Sequence, residues 1–156
     1  MTRILFACRG NICRGPMAEY VMKHIVKEAG LEDQFQIASA ATSRERLGSP
    51  VSPPARRKLA GHGISCVGHI ARQLQNRDYD EYDLLIGMDY ANLRDMYRIC
   101  GGDFDGKMHL LLDFTDHPKE VSNPCYTRDF DTAWNDILEG CMSIFEKLIG
   151  HRNVAM

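Results

Sequence analysis

The chain has 156 residues, enough for one domain with a single sizeable core. Apolar residues make up 44% and charged residues 26%, the balance of a soluble globular protein. A formal net charge of −2 argues against a broad basic field for nucleic acid, and no stretch is long enough to span a bilayer.

The first residues, MTRILFACRG, carry an apolar run too short for a secretory leader, so the expected compartment is the cytoplasm. The six cysteines show no regular pairing pattern and are expected to be reduced thiols, mostly packing residues. RILFAC (3–8) reads as a buried strand. PMAEYVMKHIVKEAG (16–30) predicts a helix, with Pro16 at its first position, Glu19 in the first turn and Gly30 at its stop. FQIASA (35–40) predicts a second strand and SPPARRKLAGHG (52–63) a short helix opened by proline. DLLIGM (83–88) predicts a third strand, followed by a helix over 89–99 with Asp89 as its cap. MHLLL (108–112) predicts a fourth strand. In the last helix Phe130, Trp134, Ile137, Cys141, Ile144 and Leu148 step by four and three, and Gly150 is expected to end it.

Near-continuous apolar strands alternating with helices imply a single α/β domain: a four-stranded parallel sheet covered by helices on both faces. The domain is expected over 1–150, with 151–156 a frayed tail. Ligands of such sheets bind beyond the carboxyl ends of the strands. Cys8 ends the first strand, so CRGNICRGP (8–16) occupies that position.

The chemistry of this loop follows from its residue types. Amides between a strand and a helix converge on one point, and the helix adds its positive dipole end, which together favour an anion. Gly10 lets the backbone curl without a Cβ clash. Arg14 offers a two-pronged fork to two oxygens of a tetrahedral oxyanion. A thiol at the base of such a cup is expected to have a lowered pKa, which suits nucleophilic displacement at phosphorus. Taken alone, a Cys-x5-Arg spacing arises cheaply, and a cysteine ending a buried strand is usually just a small hydrophobe. The placement between strand and helix, with Gly10 and Asn11 inside, raises its weight. The two thiols of the loop do not read as a metal pair, because no second pair of matching spacing follows.

The stretch CRGNICRGPMAE resembles the signature of the low-molecular-weight protein tyrosine phosphatases, whose usual form is C-x-G-N-I-C-R-S-P-x-A-E. IASAATS, HIARQL, LLIGMDYANLRDM and NPCYTRDFDTAWNDILEGC are similar, in order, to further segments of that family. The resemblance implies that Cys8 is the nucleophile of a phosphocysteine intermediate and that Arg14 clamps the phosphoryl oxygens. It implies a phosphate cup made by the amides of Arg9, Gly10, Asn11, Ile12, Cys13 and Arg14. Asn11, Ser39 and His69 match a polar network that holds the loop in shape. Cys13 matches a second cysteine that can form a disulfide with the first under oxidation and so guard it. No metal or organic cofactor is implied. Phosphotyrosine protein or a small aryl phosphate is the implied substrate, inorganic phosphate or another oxyanion the implied occupant, and neither nucleic acid nor membrane an expected partner.

The sequence departs from that family in the machinery around the cup. Gly15 stands where the family has serine or threonine, whose hydroxyl donates to the thiolate; its loss should raise the Cys8 pKa and slow phosphoenzyme breakdown. Asn123 stands where the family carries the aspartate that serves as general acid. An amide cannot protonate a leaving tyrosyl oxygen, and general acid catalysis is worth about 10²–10⁴-fold. Asp129 and Asp131 lie nearby in sequence but suit the first turn of the last helix. On the pocket wall, Glu45 and Cys125 stand where relatives carry aromatic residues, Tyr126 keeps an aromatic place, and Arg9 follows the nucleophile. The expected function is phosphomonoester hydrolysis with an impaired acid step. The alternatives are a weakly catalytic phosphotyrosine-binding pseudophosphatase and a thiol-dependent arsenate reductase. The last would need two closely spaced resolving thiols after the third strand, where the sequence offers only Cys100.

Overall fold

The computed structural model describes the backbone of residues 1–155 and the side chains of residues 1–150. Four strands, β1 (Thr2–Cys8), β2 (Phe35–Ala41), β3 (Leu84–Gly87) and β4 (Met108–Leu110), form one parallel sheet in the order β2-β1-β3-β4. β1 lies at the centre and pairs with β2 along its whole length, from Thr2 opposite Phe35 to Cys8 opposite Ala41. Its other edge pairs with β3, from Ile4 opposite Leu84 to Ala7 opposite Gly87. The chain order reverses between β1 and β3, and in such sheets this is where a crevice opens at the carboxyl ends.

Among the described residues there are six α-helices: α1 (Arg14–Glu28), α2 (Pro53–Gly61), α3 (Asp78–Glu81), α4 (Tyr90–Cys100), α5 (Pro124–Thr127) and α6 (Phe130–Ala155). The two-residue period of β1 divides the core. Ile4, Phe6 and Cys8 face α1 and α6, packing with Met17, Val21, Trp134 and Ile137. Leu5 and Ala7 face the other way, with Leu74, Tyr79, Leu85 and Met96. Burial on both sides explains why β1 reads as a continuous apolar run.

Several element boundaries differ from the sequence reading for identifiable reasons. Helix α1 begins at Arg14, two residues before Pro16, because any first-turn position tolerates a residue without an N–H. Gly30 lies beyond its end at φ 73°, where the Gly30 amide bonds the Lys27 carbonyl and the Leu31 amide the Val26 carbonyl. This is the paired closure that favours glycine. β4 stops at Leu110, where the chain tightens into a 3₁₀ turn over Leu111–Phe114. Helix α6 passes through Gly150, which was expected to end it, and runs to Ala155; an exposed glycine weakens a helix by roughly 1 kcal/mol but does not by itself stop one. Within α6 Gly140 has a packing role: a Cβ there would meet Leu111 Cγ at 2.5 Å, so helix and turn approach as closely as glycine allows.

Candidate active site

Residues 8 to 15 form a tight loop from the end of β1 into α1. The pairing of β1 with β2 continues past the sheet, as the Thr42 amide bonds the Cys8 carbonyl at 2.9 Å and the Ser43 amide the Arg9 carbonyl at 3.0 Å. Asn11 is the pivot. It is fully buried and takes φ 58°, a left-handed conformation that asparagine tolerates better than most side chains. Its side chain donates to Ser39 Oγ at 2.8 Å and accepts from the Arg72 amide at 3.1 Å. Its carbonyl meets His69 Nε2 at 2.9 Å. Ser39 Oγ donates to Glu19 at 2.6 Å, and His69 Nδ1 lies 3.7 Å from the same carboxylate. Ser39 and His69, the residues expected to join Asn11 in a network, each contact it directly, and a fourth residue links them from the other side. In the sequence Glu19 has only the signature of a first-turn acid, yet it is buried and closes the circuit, with Lys23 balancing its charge at 2.6 Å.

Cys8 Sγ sits at the floor of the loop. The Gly15 amide donates to it at 3.3 Å, and the amides of Gly10 and Asn11 also point to it. Gly15 lies outside the set of amides expected from the sequence. The expectation of a lowered thiol pKa is not met: burial is the largest influence and pushes the Cys8 thiol up. The Arg14 charge and the three amides pull the other way, and their pull grows with the negative charge they face. The direction agrees with the missing hydroxyl at residue 15. A Cβ on Gly15 would lie 3.0 Å from Cys8 Sγ, so a serine hydroxyl there would stand directly against the sulfur.

Arg14 is 3% exposed, and its Nη1 donates to Asp89 at 2.9 Å and to the Val121 carbonyl at 2.7 Å. Those bonds fix the plane of the guanidinium and leave Nε and Nη2 as the fork for an oxyanion. Asp89 therefore does two jobs. One carboxylate oxygen caps α4 through the Asn92 amide at 2.8 Å, and the other anchors Arg14. The sequence signal showed only the cap, because a contact spanning 75 residues leaves no local trace.

A cavity of about 310 Å³ opens over Cys8 and Arg14 and is bordered by Arg9, Glu45, Asn123 and Tyr126. Arg9 and Glu45 form an ion pair across the mouth, which holds the Glu45 carboxyl below its usual range. Tyr126 is 79% exposed and walls only the outer edge. Asn123 borders the cavity while its side-chain oxygen accepts from the Cys125 amide at 3.0 Å, capping α5. Its NH₂ is the group left to face a ligand, a donor that carries no transferable proton. The nearby acids are engaged elsewhere. Asp129 caps α6 through the amide and hydroxyl of Thr132, which lower its pKa, and Asp131 pairs with Lys58. Cys100, the thiol weighed for a reductase relay, is buried in the core on the opposite face of the sheet. Among the described residues no group of three or more His, Cys, Asp or Glu side chains is placed to hold a metal ion.

A buried thiol ringed by amides, with one fixed arginine above it at the carboxyl end of a parallel strand, defines the class of cysteine-based phosphatases. Residues 3–153 match the family model of the low molecular weight phosphotyrosine protein phosphatases, and the chain belongs to that family. It is 36% identical over 149 residues to the low molecular weight phosphotyrosine protein phosphatase of Gallus gallus, covering 92% of this chain and 94% of the relative. The crystal structure of YfkJ from Bacillus subtilis superposes with a TM-score of 0.93 at 31% identity, covering 97% and 96% of the two chains. A protein tyrosine phosphatase from Entamoeba histolytica, crystallised with Hepes in its active site, superposes with a TM-score of 0.89 at 26% identity, covering 97% and 99%.

Proposed function

We propose that the protein hydrolyses phosphomonoesters in two steps through phospho-Cys8, slowly for phosphotyrosine and faster for aryl phosphates with acidic leaving groups. The observation that carries this reading is the loop itself: the sulfur, three amides and the Arg14 fork converge on one point at the cavity floor. An oxyanion there would receive its hydrogen bonds from groups already held in place, the condition under which such donors stabilise a transition state most. Hepes in the E. histolytica relative supports this, since its sulfonate is a tetrahedral oxyanion of similar shape.

In the first step Cys8 Sγ attacks phosphorus as the thiolate, and the ester oxygen departs. Arg14 and the loop amides of residues 9 to 14 hold the equatorial oxygens. Asn123 donates a hydrogen bond to the leaving oxygen but supplies no proton. A phenol of pKa ~10 leaves poorly without one, whereas a more acidic phenol needs it far less. In the second step water attacks the phosphocysteine, and Cys8 departs as thiolate into the same donors, without a hydroxyl from residue 15. The protein is proposed to act in the cytoplasm on phosphotyrosine proteins or small aryl phosphates, without metal or organic cofactor.

The test is rapid acid quenching of the protein during turnover of an activated aryl phosphate. Phosphate bound covalently to Cys8, absent from Cys8→Ser, is the expected result. Tight binding of phosphotyrosine peptide with no phosphoenzyme from any ester would assign a binding protein instead.

A further inference from the structure

Three thiols border the same cavity. Cys8 lies at its floor, Cys13 caps α1 beside it, and Cys125 stands on the rim in α5. Cys8 and Cys13 are buried, whereas Cys125 is exposed. The side chains of Cys13 and Cys125 interact directly, and Cys13 also feels Cys8. Cys13 therefore stands between a buried nucleophile and a thiol that faces solvent. The remaining cysteines, Cys66, Cys100 and Cys141, are packed into the two cores away from this cavity.

We infer that Cys13 and Cys125 form an oxidation-induced disulfide that takes over from a Cys8–Cys13 bond and returns Cys8 to its free state. The inference rests on the reading of Cys8 as the reactive thiolate of the site. A peroxide oxidises Cys8 to the sulfenic acid and is itself reduced to water. Cys13 Sγ attacks the Cys8 sulfur, a second water leaves, and the Cys8–Cys13 bond forms. Cys125, as thiolate, then attacks Cys13 Sγ; the Cys8–Cys13 bond breaks and its electron pair leaves on Cys8. In sum one peroxide and two thiols become one disulfide and two waters, with Cys8 restored.

The geometry favours exchange in that direction. Exchange puts the electron pair on Cys8 beside the Gly15 amide, 3.3 Å from its sulfur, and the Arg14 guanidinium, which together offset part of the cost of its burial. The attacking thiol sits on an exposed four-residue helix, so the adjustment a disulfide requires falls on α5 and not on the cup loop. The final bond lies at the surface, where a thiol reductant reaches it, while Cys8 is kept from the irreversible sulfinic state.

The experiment treats the full chain with one equivalent of hydrogen peroxide, quenches with iodoacetamide over time and maps disulfides by non-reducing peptide mass spectrometry. Cys8–Cys13 should appear first and Cys13–Cys125 later, with Cys8 alkylated in the end state. In Cys125→Ser the Cys8–Cys13 bond should persist, and glutathione should reduce it several-fold more slowly than the wild-type disulfide. A wild-type end state in which Cys125 is alkylated overturns the inference, as does equal reduction of the two proteins by glutathione. Because the readout is mass and not turnover, a Cys13–Cys125 bond in a chain that forms no phosphoenzyme would support the relay and remove the phosphatase reading separately.

Discussion

The loop from Cys8 to Gly15 and the segment from Asn123 to Tyr126 face one cavity but are held in different ways. Every polar side chain of the loop interior is tied to the scaffold: Asn11 to Ser39 and Arg72, and Arg14 to Asp89 and Val121. The rim rests on one short helix capped by Asn123, with Cys125 and Tyr126 exposed. On the proposed reading the family's chemistry is kept where an oxyanion is gripped and altered where a proton is delivered. Binding depends on many fixed donors acting together, so it survives only if the whole loop is kept. Proton delivery by a single carboxyl is different: one substitution is enough to remove it and leave the fold untouched.

The largest effect should come from the floor. Cys8→Ser is expected to lower phosphoryl transfer by roughly 10⁴-fold or more, as losses of a catalytic nucleophile do, while circular dichroism and phosphate binding stay near wild type. Survival of turnover in that variant would separate the cup from the chemistry. Arg14→Lys keeps the charge but not the fork, and kcat/KM should fall about 10²–10³-fold, the range seen when a preorganised donor is removed. Asp89→Asn keeps an acceptable helix cap but removes the anionic partner of Arg14. A loss of about tenfold in kcat/KM is expected from a charge-assisted bond of about 1.5–3 kcal/mol, with little change in melting temperature. A large thermal loss with unchanged kinetics would show that Asp89 serves α4 alone.

Gly15→Ser tests the floor from the other side. Its hydroxyl should lower the Cys8 pKa, so the rate of iodoacetamide alkylation should rise through its midpoint at a lower pH than in wild type. Phosphoenzyme breakdown should quicken by roughly fivefold, the worth of one hydrogen bond of about 1 kcal/mol. A midpoint moved upward would mean that the 3.0 Å approach of the new Cβ displaces the sulfur instead. Far from both regions, Gly140→Ala should cost about 1–3 kcal/mol of stability in denaturant unfolding through its clash with Leu111, with kcat and KM little changed.

The sequence showed some of this plainly and hid the rest. The sheet was legible because β1 is apolar on both faces and α6 keeps a strict three-and-four step. Cys8 and Arg14 were legible because a cup needs its residues close together in the chain. Glu19 and Asp89 were not, since each looks like an ordinary helix-start acid until distant strands bring Ser39 and Arg14 to it. The balance at Cys8 is hidden in the sequence, where the donors lie close together but the core that covers the sulfur leaves no local trace. That Cys125 and Cys13 border one cavity follows only from where α5 is placed in the fold.

The proposed contrast between an intact grip and a missing proton is measured most directly by leaving-group dependence. Wild type and Asn123→Asp would be compared on a series of aryl phosphates, from strongly activated phenols to phosphotyrosine itself, following the rate of phosphoenzyme formation. The account predicts a steep fall with rising leaving-group pKa in wild type and a shallow one in Asn123→Asp. The two should meet at activated esters and part by about 10²–10⁴-fold at phosphotyrosine. Parallel lines with equal rates on phosphotyrosine would contradict it, since the protein would then deliver the proton without a carboxyl at residue 123.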